Sequence, residues 1–164
     1  MFSISQKNHQ LYKSYYDGVV SWEDVISNID YCILNNRILR KYEDLGFVTY
    51  DAHLIKKCDY IFNKISQENK NTEFNATTAH LYVSLSKNSK TSGKHRDGAF
   101  VWYWQCIGKT QWTIYEEEKE FTYELSPGDL IYIPRAMYHS VSPLTPRVGI
   151  SFGAEIDPDE NCNV

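Results

Sequence analysis

The chain has 164 residues, of which 42% are hydrophobic and 23% are charged. This length is typical of one domain, and the composition excludes an intrinsically disordered tail protein. The formal net charge of −4 at pH 7 excludes a basic field that would draw the whole protein to nucleic acid. We therefore expect a single domain over residues 1–164, with no strong nucleic-acid signal.

The compartment is predicted from what the sequence lacks. No apolar run approaches the roughly 18 residues of a membrane-spanning helix, and the first residues do not have the pattern of a signal peptide. The cysteines, which are Cys32, Cys58, Cys106 and Cys162, form no CxxC pair. In an intracellular chain they are expected to be reduced. The sequence thus predicts a cytoplasmic protein that has no membrane partner.

Residues 1–75 are predicted to form a mixed, mainly helical layer. Ser21 with Asp24 three residues later is a helix-start signal, and apolar residues follow at helical spacing. The other elements predicted here are a strand at 46–50, a second helix capped by Asp51 that extends to Ile65, and a loop at 67–75.

From residue 76 onward the hydrophobic pattern has a period of two, which is typical of strands. Turn residues separate eight short predicted strands. They are 80–86, 94–97, 100–107, 110–115, 121–125, 129–133, 138–142 and 148–154. This spacing predicts a sandwich or barrel, and we expect an antiparallel β-barrel covered by the helical N-terminal layer.

The motif His95-Arg96-Asp97 points most directly to chemistry. Residues i and i+2 of a strand face the same side, so the imidazole and the carboxylate would lie side by side. His139, in a later predicted strand, is the candidate third ligand. Two histidines and one carboxylate leave open positions on a metal, as in non-haem Fe(II) oxygenases. The alternative is that His95 and Asp97 form only a local hydrogen-bonded pair on a loop.

Further motifs stand in a fixed order around this one. They are Q-x-x-G-x-x-x-W at 105–112, L-x-P-G-D followed by an apolar run and proline at 125–134, and the distal His139. Over residues 77–154 this order resembles the JmjC and cupin-type 2-oxoglutarate and Fe(II)-dependent oxygenases. The fold class that the resemblance implies is mainly β, a double-stranded β-helix (jelly-roll or cupin barrel) with N-terminal helices packed on it. The eight-stranded core would occupy 76–156, followed by a polar tail at 157–164.

The resemblance also implies an activity. His95, Asp97 and His139 would hold Fe(II), and 2-oxoglutarate and O2 would be cosubstrates in the oxidation of a C–H bond with release of succinate and CO2. The substrate is either a protein or peptide or a small molecule, and a homodimer is left open. Two alternatives remain at this point. One is a non-oxidative metal-binding cupin, acting as an isomerase or ligand-binding module, and the other is a degenerate barrel used for protein contacts.

The cosubstrate site departs from the family pattern. Many members carry a Lys or Arg two residues after the hairpin glycine, where this sequence has Thr110. Strand alternation turns Lys109 outward, so we expect Arg147 to bind the distal carboxylate of 2-oxoglutarate. The alternative for Arg147 is a surface charge at the start of a strand. Thr110, Tyr82 and Ser92 are further candidates for hydrogen bonds to the cosubstrate.

Two expectations concern the surroundings of this site. Arg147 would share a strand face with Gly149, Ser151 and Gly153, and this face of small residues would leave room for a dicarboxylate. Oxidisable rings would lie near the metal, and the candidates are Trp102, Trp104 and Tyr82.

Overall fold

The computed structural model describes residues 7–37, 39–68 and 74–156. The predicted tail at 157–164, with Cys162, and most of the predicted loop at 67–75 lie outside these residues. The elements are β1 (Gln10–Tyr12), α1 (Trp22–Leu34), β2 (Leu39–Tyr42), β3 (Gly46–Thr49), α2 (Asp59–Glu68), β4 (Phe74–Ser84), β5 (Phe100–Ile107), β6 (Thr110–Glu116), β7 (Lys119–Leu125), β8 (Leu130–Ile133), β9 (Tyr138–Pro143) and β10 (Arg147–Ile156). No helix within the described ranges is both long enough and apolar enough to cross a membrane.

The strands form two antiparallel sheets. The larger has seven strands in the order β1-β8-β5-β10-β4-β3-β2, and the smaller has the order β7-β6-β9. The prediction of a mainly β jelly-roll fold with helices packed on it is confirmed. Every ladder pairs strands that are antiparallel, so alternate residues of each strand face opposite sides of its sheet.

This alternation divides the hydrophobic core into two parts. Trp102 and Trp104 of β5 belong to the cluster that contains Ile61 and Ile65 of α2. The neighbouring residues of β5 belong to a second cluster, together with side chains of β6, β7 and β8. One face of the large sheet therefore packs on the helical layer and the other on the small sheet, and the candidate site lies on the side of the small sheet.

The start of α1 is as predicted. The Ser21 hydroxyl accepts a hydrogen bond from the Asp24 amide over 3.2 Å, and the Asp24 carboxylate accepts one from the Ser21 amide over 2.7 Å. This reciprocal pair satisfies amide groups that the helix itself leaves without acceptors. Lys57 also donates to this carboxylate, and that hydrogen bond lowers the pKa of Asp24 to about 2.

The prediction that Asp51 caps a second helix is wrong. Short 3-10 turns occupy Ala52–Leu54 and Lys56–Cys58, and α2 begins only at Asp59. The Asp51 carboxylate instead accepts two hydrogen bonds from Arg37, over 2.9 and 3.1 Å. A bidentate arginine pair is stronger than a hydrogen bond to one backbone amide, so the carboxylate turns away from the helix start.

The predicted strand at 94–97 is also wrong. In this segment only His95 pairs, and it forms an isolated bridge with His139. Residues 74–156 therefore contain seven strands where eight were expected. Gly93 on one side has a φ of +69°, which takes the chain out of the extended conformation. The short strands β1 and β2 were not predicted, because β1 has only three residues and β2 exposes both of its central side chains.

The predicted turn before β8 contains a buried carboxylate. Gly128 has a φ of +93°, as a type II turn requires. Asp129 is 3% exposed and accepts hydrogen bonds from the amides of Ser126 and Ser14 and from the Lys13 ammonium group, over 2.8, 2.9 and 2.7 Å. Burial works to raise the pKa of Asp129, but these three hydrogen bonds lower it below its ordinary value. The turn is thus joined to the N-terminal segment.

Candidate metal centre and anion site

The bridge between His95 and His139 brings the three predicted metal ligands together. The His95 amide donates to the His139 carbonyl over 2.9 Å, and the His139 amide donates to the His95 carbonyl over 2.8 Å. The Asp97 carboxylate lies 3.8 Å from His95 Nε2 and 3.5 Å from His139 Nε2. One ligand atom from each of these residues lies within 4.8 Å of the others. This is the spacing of atoms around one ion.

The protonation of the two imidazoles suits a metal. His95 Nδ1 lies 2.9 Å from the Gly93 carbonyl, and His139 Nδ1 lies 3.0 Å from the Met137 carbonyl. A carbonyl only accepts hydrogen bonds, so each Nδ1 carries a proton, and in the neutral ring Nε2 is then the nitrogen that can bind an ion beside Asp97. Burial lowers the pKa of His139, although the Met137 carbonyl and Asp97 act in the opposite direction. Neutral imidazole and carboxylate form a donor set that fits a divalent transition metal.

Trp112 fixes the orientation of the His139 ring. The two rings stack with their centroids 5.5 Å apart and their planes 19° from parallel. Trp112 is buried, and among the described residues its Nε1–H has no hydrogen-bond acceptor. A buried donor without an acceptor is costly, and the Trp112 side chain belongs to the residues that line the cavity containing the triad.

The cavity brings together most of the predicted site residues. Those that line it are His95, Asp97, His139, Arg147, Tyr82 and Ser92. Burial, followed by the charge of Asp97, raises the pKa of the Tyr82 phenol, which therefore stays protonated at neutral pH. Ser92 lies at the exposed rim, where its hydroxyl is 3.0 Å from that of Tyr42.

Arg147 is a buried cation in this cavity. It is 4% exposed, so it is not a surface charge at the start of a strand. Its Nε donates to the Ser84 hydroxyl over 3.0 Å, and its Nη1 donates to the Tyr103 hydroxyl over 2.9 Å. Across the described ranges no carboxylate forms an ion pair with it. A buried charge without a counter-charge is unfavourable, so the cavity is suited to an anionic ligand.

Thr110 and Lys109 lie outside the cavity. Thr110 is buried on the same face of β6 as Trp112, but its hydroxyl donates to the Gln105 side chain over 2.7 Å. Lys109 turns outward, as alternation predicts, and its ammonium group is 2.7 Å from Glu124. Arg147 is thus the basic side chain that lies deepest in the cavity.

The structure corrects two expectations about the surroundings. The face at Gly149 is not open, because a β-carbon there would overlap the Tyr103 hydroxyl. Trp102 and Trp104 face the helical layer, so the rings beside the triad are Tyr82, Tyr103 and Trp112.

Sequence reasoning missed Tyr103 and Ser84, which hold the guanidinium. Period-two alternation along β5 places Tyr103 opposite the two tryptophans and was the available signal.

The fold is that of known oxygenase structures. The structure of YcfD, a ribosomal oxygenase from Escherichia coli, superposes with a TM-score of 0.71 at 13% sequence identity, over 93% of this chain and 49% of that one. The same protein in complex with cobalt and 2-oxoglutarate gives a TM-score of 0.69 at 16% identity, with the same coverage. The present chain thus spans about half the length of YcfD.

A second kind of cupin protein is also similar. An oxalate decarboxylase variant from Bacillus subtilis superposes with a TM-score of 0.51 at 16% identity, over 75% of this chain and 28% of that one. Neither protein-family models nor the sequences of curated proteins give a match. At these identities the likeness establishes the fold and leaves the reaction to be argued from the site.

Proposed function

We propose that the protein is a 2-oxoglutarate- and Fe(II)-dependent dioxygenase that hydroxylates its substrate. The observation that carries the proposal is that the buried Arg147 guanidinium lines the same cavity as the His95, Asp97 and His139 triad. 2-Oxoglutarate carries a keto acid at one end, which chelates a metal, and a carboxylate at the other. One molecule of this ligand supplies both the chelate and the missing anion.

Each group of the site has a role in this proposal. His95, Asp97 and His139 hold Fe(II), which when bound supplies the oxidative chemistry that converts 2-oxoglutarate and O2 into succinate, CO2 and an oxidised C–H bond. The carbonyls of Gly93 and Met137 keep the protons on Nδ1 of the two imidazoles.

The cosubstrate is bound and oriented by the deeper part of the cavity. Arg147 binds its distal carboxylate, since a guanidinium pairs with a carboxylate through two hydrogen bonds. Ser84 and Tyr103 hold the guanidinium in place. The aromatic walls formed by Tyr82 and Trp112 exclude water, which strengthens that ion pair.

The comparison with YcfD supports this proposal, because that fold has been solved with cobalt and 2-oxoglutarate bound. The alternative is a non-oxidative metal-binding cupin, and the likeness to oxalate decarboxylase favours it. The two functions differ in their need for Arg147. Three points remain predictions. They are a substrate that is either a protein or peptide or a small molecule, a homodimeric state, and a cytoplasmic location.

The test uses isotopically labelled 2-oxoglutarate. Metal-free protein is given Fe(II), labelled 2-oxoglutarate and air, and labelled succinate is measured by mass spectrometry, with His139→Ala as the control. We expect slow succinate formation that the control lacks, together with oxygen incorporation into Tyr82, Tyr103 or Trp112. A protein that binds Fe(II) but neither binds 2-oxoglutarate nor forms succinate would contradict the proposal and support the non-oxidative cupin.

A further inference from the structure

The segment that carries His95 and Asp97 has little support from the sheets. Residues 85–99, between β4 and β5, contain no strand. Their backbone is attached beside the site by the bridge to His139 and by the Ala136 amide, which donates to the Asp97 carbonyl over 2.9 Å. In this segment only His95 forms a backbone bridge to β9, and the Thr91 hydroxyl adds one hydrogen bond to the Val141 carbonyl over 2.8 Å.

The side chains on either side of His95 provide a second attachment. Lys94 Nζ lies 3.8 Å from the centroid of the Tyr115 ring and 5.8 Å from that of Tyr138. Arg96 Cζ lies 5.4 Å from the centroid of Tyr138. Tyr115 and Tyr138 are directly opposite each other on β6 and β9. Both cations are therefore within cation–π distance of one aromatic pair on the small sheet.

These contacts are not secondary to ion pairs. Glu116, Glu117 and Glu118 follow Tyr115 along the chain, yet within the described ranges neither Lys94 nor Arg96 forms a salt bridge. Tyr138 is 43% exposed, so burial does not account for its position. Tyr138 contacts the two cations on either side of His95. It is also the residue before His139, so it links the segment of His95 to the strand that carries His139.

We propose that Tyr138 is a positioning residue of the metal site. By holding Arg96, and together with Tyr115 also Lys94, against the small sheet, it fixes the separation of His95 and Asp97 from His139. This inference rests on the proposed function, since it assumes that the triad binds a metal. Tyr138 and His139 are neighbours that face opposite sides of β9. The inference is that the outward-facing Tyr138 affects how tightly the inward-facing His139 and its partners bind the ion.

Electrostatics and positioning predict opposite changes in metal affinity for the variant Arg96→Met. Lys94 and Arg96 are cations near a site for a divalent cation, so by charge alone their removal strengthens metal binding. If Arg96 positions the ligands, Arg96→Met weakens metal binding although it removes a repulsive charge. Tyr138→Ala changes no charge, so its effect reports on position alone.

The experiment is a calorimetric titration with Mn(II) of the wild type, Tyr138→Ala, Tyr138→Phe and Arg96→Met. We expect Tyr138→Ala to weaken binding about 5- to 30-fold, the effect of losing two cation–π contacts behind a ligand segment. Tyr138→Phe retains the ring and should stay within about twofold of the wild type. Tyr31→Ala, on α1 and 42% exposed, is the matched control and should have no effect.

A measurement on the metal-free protein separates this inference from the proposed function. Hydrogen exchange of the His95 and His139 amides should be faster in Tyr138→Ala than in the wild type, and unchanged in Tyr138→Phe. Equal exchange, equal Mn(II) affinity in Tyr138→Ala, or tighter binding in Arg96→Met would overturn the positioning role. A wild type that binds no divalent metal would instead overturn the proposed function, and the amide exchange would still decide whether Tyr138 holds the segment.

Discussion

Arg147 donates a hydrogen bond of 2.9 Å to the hydroxyl of Tyr103, and this hydroxyl occupies the space where a side chain at residue 149 would lie. The absence of a side chain at Gly149 is therefore what allows Tyr103 to reach the guanidinium. The phenol is a neutral partner and leaves the positive charge unbalanced. The arrangement orients the cation for a ligand that brings its own negative charge.

Replacing Arg147 should abolish tight binding of 2-oxoglutarate. Arg147→Met retains most of the side-chain volume and removes the charge, so the loss should be about 2–5 kcal/mol, the usual cost of truncating one partner of a buried charged pair. This corresponds to a roughly 30-fold to several-thousand-fold higher Kd for 2-oxoglutarate, measured by calorimetry with Mn(II) present. Lys109→Met is the control, and because Lys109 lies in an exposed pair with Glu124 it should change the Kd by less than about tenfold. The reverse order of effects would make Lys109 the anchor.

Replacing a triad residue should remove the metal and leave the fold intact. His139→Ala and Asp97→Ala each delete one of three ligands, so stoichiometric binding of Fe(II) or Mn(II) should be lost in an anaerobic titration. Both variants should stay folded by circular dichroism, because the His95–His139 bridge is made by backbone groups, and His139→Ala should lower the thermal midpoint because the buried His139 ring stacks on Trp112. His53→Ala, an exposed histidine outside the cavity, should bind metal normally. Unchanged affinity in His139→Ala would exclude this triad as the metal site.

Adding a methyl group at Gly149 should disturb the cavity from behind. The new β-carbon of Gly149→Ala overlaps the Tyr103 hydroxyl, so the phenol must move away from Arg147. We expect a loss of about 1–3 kcal/mol in the free energy of unfolding, as for other overpacked cores, together with weaker 2-oxoglutarate binding. A β-carbon at Gly98 meets no atom within 4 Å, so Gly98→Ala should be neutral in urea denaturation. Equal stability of the two variants would show that Tyr103 moves without cost.

The Asp129 carboxylate should make the stability of the fold depend on pH. Its pKa in the folded protein is below the ordinary value of 3.8, so in acid the unfolded chain binds more protons than the folded one. Its contribution is complete well above pH 3.8 and is lost as the pH falls from that value through the lower pKa of the folded state. Asp129→Ala should lower the free energy of unfolding by about 1–3 kcal/mol at pH 7 and make the urea midpoint depend less steeply on pH in this range.

The control for this prediction is Glu124→Ala, which removes an exposed ion pair with Lys109. It should change the free energy of unfolding by less than about 1 kcal/mol, because solvent screens exposed pairs. An acid dependence of Asp129→Ala that is as steep as that of the wild type would assign the pH effect to other carboxylates.

Local pattern was sufficient where one short segment decides the structure. The Ser21 and Asp24 capping pair, the bounds of β5 and the Gly128 turn depend on contacts within a few residues, and all are found where they were predicted. Pattern failed where a distant residue competes for the same group. Asp51 has the chemistry of a helix cap, but Arg37 binds its carboxylate and the helix begins eight residues later, at Asp59.

For the site, the sequence by itself determined which chemical groups are available, because HxD and a distal histidine are readable as ligands and Arg147 as a cation. Only the tertiary structure decided how they are arranged. Burial of Arg147 requires β4 and β5 to supply Ser84 and Tyr103, and the ligand segment is attached through His139, 44 residues away from His95 along the chain. The burial of Arg147 and the pairing of His95 with His139 both arise from strands that meet only in the folded sheets. A local hydrophobic period in the sequence does not predict either of them.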